Sequence, residues 1–272
     1  MNAPVEAAVN PLLLSQTQDA VRTLTLNRGE RYNPLSREML AALEQALDET
    51  ANDASVRVVV LAGAGKGFCA GHDLKEIRTH DAAWHRELFD ACGRMMVKLT
   101  QLPQPVIARV HGMAVAAGCQ LVSMCDLAVA SEEARFALPG INFGLFCSTP
   151  AVGVGRNIAR KRVMEMLVTG DMIDAKTALD WGLVNRVVPA GELDAAVCHF
   201  VDRILAKSPA VVALGKRAFY AQMDRTLGDA YALTSETMTC NLAEPDAMEG
   251  IDAFVEKRTP RWAGTGEPPG AA

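Results

Sequence analysis

Short β-branched runs and longer stretches of helical spacing alternate along this chain. Val21–Leu26 places apolar and polar residues in turn, the period of a half-buried strand. Residues 33–52 then carry Leu40, Leu43 and Leu47 on one helical face, with Ser36 positioned as the cap. Residues 56–62 are apolar and rich in valine but for Arg57, as in a strand covered on both sides. After a glycine-rich turn (residues 63–67), residues 81–99 read as a helix with Trp84, Leu88, Cys92, Met95 and Leu99 turned inward, and Pro103 and Pro105 break it. Residues 105–110 read as a strand, 116–124 as a helix, 126–130 as a strand and 184–188 as the last strand.

This repetition of strand, loop and helix through the first 190 residues argues for an α/β fold with parallel strands and right-handed crossovers. The turn after the second strand has no G-x-G-x-x-G spacing, so a dinucleotide-binding fold is not expected. From Leu193 to about Arg258 the pattern is helical, with Pro209 and Pro245 near helix starts. The expected division is a loose tail over 1–17, a core over 18–195, a helical unit over 196–262 and a Gly/Pro-rich disordered tail over 263–272. Residues 247, 251, 254 and 255 make a narrow apolar stripe on the last helix. It either packs on its own core or forms a subunit interface.

Composition narrows the choice of partner. A formal charge of -5 argues against nucleic acid as the main ligand. No apolar run approaches the ~20 residues of a membrane span, and the first 20 residues lack a secretory pattern. The seven cysteines show no C-x-x-C spacing, so free thiols in a reducing compartment, cytoplasmic by default, are expected rather than disulfides or a metal site.

Two runs of small residues carry the chemistry: Phe68-Cys-Ala-Gly-His-Asp-Leu-Lys75 and Ala116-Ala-Gly-Cys-Gln120. Each ends a strand region and opens a helix. Such a junction exposes main-chain N–H groups that a ligand can approach closely. Two of them facing one oxygen would form an oxyanion hole. Cys119 and Cys147 have no evident base, so they read as small core residues rather than nucleophiles. Ser123 and Ser148 lack partners for a peptidase triad. Asp126 reads as a structural residue at a strand start, and His85 as a general-base candidate or a satisfied histidine.

These runs, with residues 105–112, 134–139, 167–171, 178–184 and 254–258, resemble the crotonase family, the enoyl-CoA hydratase/isomerase superfamily, over nearly the whole chain. The resemblance implies a spiral of ββα repeats, a C-terminal helical trimerisation region and trimers or dimers of trimers. It implies a lyase or isomerase of fatty-acid metabolism acting on acyl-CoA, with coenzyme A as part of the substrate and no further cofactor. A eukaryotic member would be expected in the mitochondrial matrix. By motif, the oxyanion donors are the backbone N–H groups of His72 and Ala117. Arg31, Tyr32, Ala70, Lys75, Ser148, Phe254 and Lys257 fall where the family meets CoA or the acyl group. Family hydratases hold two glutamates where this chain has Gln120 and Gly140. Ordinary hydration is therefore not expected, because general acid–base groups contribute ~10²–10⁴-fold. The alternative is a non-catalytic acyl-CoA-binding or interaction protein on the same scaffold.

Overall fold

In the computed structural model, which describes residues 11–263, the β-branched runs become parallel strands. The strands are β1 (Leu13–Gln18), β2 (Val21–Leu26), β3 (Val58–Gly63), β4 (Gly67–Cys69), β5 (Val106–Val110), β6 (Met113–Val115), β7 (Leu127–Ser131), β8 (Arg135–Ala137), β9 (Ile173–Asp174) and β10 (Arg186–Val188). The helices are α1 (Arg37–Ala51), α2 (Leu74–Thr79), α3 (Ala82–Gln101), α4 (Ala117–Met124), α5 (Ser148–Asn157), α6 (Arg160–Thr169), α7 (Ala175–Trp181), α8 (Leu193–Leu205), α9 (Pro209–Gln222), α10 (Leu227–Leu242) and α11 (Pro245–Glu256).

Two sheets result. The larger has the order β1-β2-β3-β5-β7-β10, parallel except for the β1–β2 hairpin. The smaller has the order β4-β6-β8-β9, with β9 antiparallel. The pairs β3 and β4, β5 and β6, and β7 and β8 each send one strand to each sheet before the chain turns helical. Side-chain alternation divides β3 between two cores. Val59 and Leu61 join the main core with α1, α3 and α4, while Val58 and Val60 meet Ile107, Val129 and the α8 residues Leu193, Val197 and Val201.

Helix α1 begins at Arg37 rather than at residue 33, because Asn33 is left-handed (φ 53°) and Pro34 follows it. Ser36 caps it as expected, its hydroxyl accepting from the Met39 N–H at 3.1 Å. Pro209 and Pro245 occupy the first positions of α9 and α11.

Two expectations need correction. Residues 13–17 belong to β1, not to a loose tail. Their polar face is exposed on an edge strand, so no hydrophobic alternation marks it, and a two-residue turn with positive φ at Asp19 and Ala20 joins it to β2. A boundary at 195/196 would cut α8, whose apolar stripe packs on the larger sheet; the helical unit apart from that sheet starts at α9. Trp84 turns inward as expected, half-buried against the main core. Of the two readings left open for the stripe on α11, packing on its own core is not seen at Phe254 and Val255, which are 85% and 72% exposed. The tail predicted over 263–272 lies, but for Ala263, outside the described residues, as do residues 1–10 of the other.

Candidate functional site

The first junction leaves β4 through Ala70 and Gly71 to His72 and α2. The loop before α1 holds it: Ala70 N–H donates to the Tyr32 carbonyl and Leu35 N–H to the Gly71 carbonyl, both at 2.8 Å. Asn33 fixes that loop in turn. Fully buried, its side chain accepts from Arg28 N–H at 2.8 Å and donates to the carbonyls of Ala64 (2.8 Å) and Gly67 (2.9 Å).

The second junction leaves β6 through Ala116 into α4. Ala116 has φ 49° and ψ -121°, a conformation suited to glycine, and holds strain of order 1–3 kcal/mol. Two glycines weld the junctions together. A Cβ at Gly118 would lie 2.1 Å from the Cys69 carbonyl oxygen, so α4 rests directly on the β4 backbone. A Cβ at Gly71 (φ 84°) would lie 3.2 Å from the Ala117 nitrogen. The N–H groups of His72 and Ala117 make no hydrogen bond among the described residues. Each of the two meeting junctions thus offers one free main-chain donor.

The His72 ring is tied at one end. Nδ1 lies 3.2 Å from the Leu35 carbonyl, which only accepts, so Nδ1 carries the proton and Nε2 a bare lone pair with no partner. Burial holds the ring pKa below its ordinary value, so it is neutral at pH 7. It packs edge-to-face with Phe89, with ring centroids 5.4 Å apart.

Gln120 lies one turn after Ala117 on the same helical face and is 4% exposed. Its Oε1 has no hydrogen-bond partner among the described residues. Gly140 sits in a tight turn before α5. Its N–H donates to Cys147 Sγ at 3.3 Å, and its carbonyl accepts from Leu145 N–H at 3.0 Å. A Cβ there would meet the Leu145 carbonyl oxygen at 2.7 Å and Cys147 Sγ at 2.8 Å. Burial, with Cys147 adding to it, pushes the Cys119 thiol up to about 12, and burial raises Cys147 too. Both are thiols rather than thiolates at neutral pH, as the sequence suggested. Cys147 thus bonds Gly140 and is near enough to Cys119, in the first turn of α4, to raise its thiol.

Comparison with known proteins settles the lineage. The family description "Enoyl-CoA hydratase/isomerase" matches residues 16–265. The chain is 46% identical over 253 residues to the mitochondrial enoyl-CoA hydratase domain-containing protein 3 of Xenopus laevis, covering 93% of this chain and 86% of that one. For the human protein of the same name the identity is 44%, covering 90% and 81%. Among solved structures, an enoyl-CoA hydratase of Mycobacterium smegmatis superposes with a TM-score of 0.92 at 53% identity, covering 93% of this chain and 99% of that one. The human enoyl-CoA hydratase domain-containing protein 3 gives 0.90 at 43%, covering 93% and 100%. The chain belongs to the enoyl-CoA hydratase/isomerase family.

Of this family member's expected CoA contacts, the fold gathers four. Arg31 and Tyr32 flank the first junction, with Arg31 3.9 Å from Asp73 and the Tyr32 ring against Gly67. Ala70 bonds to Tyr32, and Lys75 is exposed on the first turn of α2, which Asp73 caps. Ser148 opens α5 and is exposed. Phe254 and Lys257 do not join this group within one chain, because α11 packs chiefly on α9 and α10. His85 Nε2 lies 2.8 Å from the Ile77 carbonyl, which ties α3 back to α2. The Ser123 hydroxyl donates to the Gln120 carbonyl at 2.7 Å and that of Ser148 to the Phe146 carbonyl at 3.4 Å, so neither is set in a triad.

Sequence reasoning missed one buried clamp. Asp126 accepts from Lys216 at 2.6 Å, Tyr220 at 2.9 Å and Val106 N–H at 2.7 Å, while Lys216 also donates to the Leu99 and Gln104 carbonyls. Burial lowers the Lys216 pKa against the pull of Asp126. No spacing signals a pair 90 residues apart. Asn33 was likewise missed, although an Asn-Pro step after a short apolar strand is a turn signal.

Proposed function

We propose that the protein binds an acyl-CoA thioester and polarises its carbonyl with the N–H groups of His72 and Ala117. The observation that carries this reading is the closeness of the two junctions, where a Cβ at Gly71 would lie 3.2 Å from the Ala117 nitrogen, with neither donor bonded among the described residues. A thioester carbonyl gains negative charge as an enolate or tetrahedral centre forms, and one preorganised donor is worth ~3–4 kcal/mol there. Gln120 and Gly140 stand in place of the two family glutamates, so neither supplies a base. The packing around Gly140 leaves no room for one. Hydration of a simple enoyl-CoA is therefore not the main reaction. Isomerisation, decarboxylation or thioester hydrolysis need the donors without that pair. Coenzyme A enters as part of the substrate, and no other cofactor is required.

The exposed apolar residues of α10 and α11, including Leu227, Tyr231, Phe254 and Val255, fit a trimer interface, or a dimer of trimers, which would bring Phe254 and Lys257 to a neighbouring CoA. The Xenopus laevis and human relatives are mitochondrial by name, which supports a matrix location should this chain be eukaryotic. A second reading, a binding protein without turnover, draws on the same closed packing at Gly140.

The test combines calorimetry with a panel of CoA esters and loss of crotonyl-CoA absorbance. Binding with hydration near background is expected. Replacing Ala117 by proline removes one donor at a first-turn position that needs no N–H, and it should abolish any turnover while circular dichroism is kept. Fast crotonyl-CoA hydration, or full turnover by the proline variant, refutes the assignment. Binding without turnover across the panel selects the second reading.

A further inference from the structure

Loop 28–35 and the first donor junction are stitched together residue by residue. Ala70 N–H donates to the Tyr32 carbonyl, Leu35 N–H to the Gly71 carbonyl, and the His72 ring to the Leu35 carbonyl, while Leu35 and His72 pair as an isolated parallel bridge. The same loop carries Arg31 and Tyr32, the residues expected beside CoA. We infer that Asn33 is a positioning residue for the His72 N–H, its side chain setting both that donor and the CoA-flanking turn from one buried point. This role rests on the acyl-CoA reading above and goes beyond it, to the group that aims the first donor and links it to the CoA end of the ligand.

Asn33 is fully buried, and its partners fix which way its amide points. Oδ1 accepts from the Arg28 N–H at 2.8 Å. Nδ2 faces three carbonyls, which only accept: those of Ala64 (2.8 Å), Gly67 (2.9 Å) and Phe68 (3.1 Å). Gly67 and Phe68 open β4, the strand that delivers His72. The end of β3 leaves room for this amide, since a Cβ at Gly63 would lie 2.9 Å from Nδ2. The backbone of Asn33 is left-handed at φ 53°, next to Tyr32 at 61°, so the chain turns through two such residues before Pro34. Asparagine takes that conformation at lower cost than most side chains. Without the amide, three carbonyls and one N–H lose this partner beneath a turn already held against its preference. The turn then relaxes, and its bonds to residues 70–72 draw the His72 N–H away from that of Ala117. A donor withdrawn by about 1 Å no longer meets the oxygen at bonding distance.

The readout is polarisation of a bound carbonyl. Sorboyl-CoA, a conjugated dienoyl thioester that absorbs away from adenine, shifts to the red when its carbonyl is polarised. S-hexyl-CoA has the same chain length with a thioether in place of the thioester. Both affinities are measured by calorimetry, with difference spectra for sorboyl-CoA, in the wild type, Asn33→Gly, Asn33→Asp and Val197→Ala. Glycine keeps the left-handed turn without the amide, and aspartate keeps the acceptor for Arg28 without the donor, so either variant serves if the other fails to fold. Val197→Ala trims the core on the other side of the larger sheet and controls for lost stability. The wild type should show the red shift and prefer sorboyl-CoA at least about tenfold, the effect of two hydrogen bonds. The Asn33 variants should lose most of the shift, bring the preference to about one and bind S-hexyl-CoA more weakly. Val197→Ala should keep shift and preference although its Tm falls. A shift and preference that persist in either Asn33 variant, an unchanged S-hexyl-CoA affinity, or equal losses in Val197→Ala overturn the inference while leaving acyl-CoA binding intact. If neither Asn33 variant folds, Asn33 is a folding residue and the inference falls. A wild type that binds both probes alike, with no shift, refutes the two-donor reading itself, and the positioning role falls with it.

Discussion

Alanine at Gly118 would test how closely the site depends on one contact. The added methyl would stand 2.1 Å from the Cys69 carbonyl oxygen, where 3.4–4 Å is ordinary contact. Neither side is a flexible side chain: Cys69 lies in β4 and Gly118 in the first turn of α4. The helix start must therefore withdraw by about 1 Å or more. Overpacking of this kind costs about 1–3 kcal/mol, and this site belongs at the upper end because backbone meets backbone. For a chain of this size that lowers Tm by about 6 °C. Withdrawal also carries the Ala117 N–H away from that of His72, and a 1 Å misplacement costs about 10²-fold in rate. Thermal unfolding and turnover, or ester affinity if turnover is absent, should fall together. Gly93→Ala is the control. That position lies inside α3 with open space around it, so alanine there should stabilise by about 0.5–1 kcal/mol. If Gly118→Ala melts and binds like the wild type, the two junctions are not coupled as described.

Other outcomes follow from the same packing. Lys216→Met should cost about 3–5 kcal/mol in denaturant unfolding, because it leaves the Asp126 carboxylate without its charge partner and the Leu99 and Gln104 carbonyls without the ammonium donor; a loss below about 1 kcal/mol refutes the clamp. Gly140→Glu should destabilise by about 1–3 kcal/mol and, even combined with Gln120→Glu, should not confer crotonyl-CoA hydration; rapid hydration would show that the turn yields. Burial lowers the pKa of both His72 and His111, whereas in the unfolded chain they titrate near 6.5. The unfolded state then binds more protons, so stability is full above about pH 6.5 and falls as pH drops below it. Urea midpoints at pH 7.5 and 5.5 should show that loss, reduced in His72→Gln; an unchanged loss in that variant contradicts a buried neutral ring.

β3, β5 and β7 of the larger sheet were legible because they are apolar and buried on both faces, and β2 by its alternation. β4, β6 and β8 were not, since three residues carry no period. β1 was hidden by its polar edge. The α8 stripe of Leu193, Val197 and Val201 was legible as helix, but its target depended on which strands present Val58, Val60 and Ile107 to that side. The two junctions could be read because only small residues permit such close approach. What held them could not. Asn33 and the Asp126–Lys216 pair act through partners tens of residues away and Cys147 through Gly140 seven residues before it, and their residue types look ordinary in isolation. Gly140 read as a missing carboxylate, whereas in the fold it is a filled position.

That filled position makes the order of changes matter for anyone moving this chain toward hydration. A carboxylate introduced first at 140 meets the Leu145 carbonyl and the Cys147 thiol and is penalised before it can contribute. Reshaping residues 145–150 first would make the same substitution tolerable. The sign of its effect thus depends on the background that receives it, and single-step selection for hydratase activity should stall where a library that varies the turn together with position 140 does not.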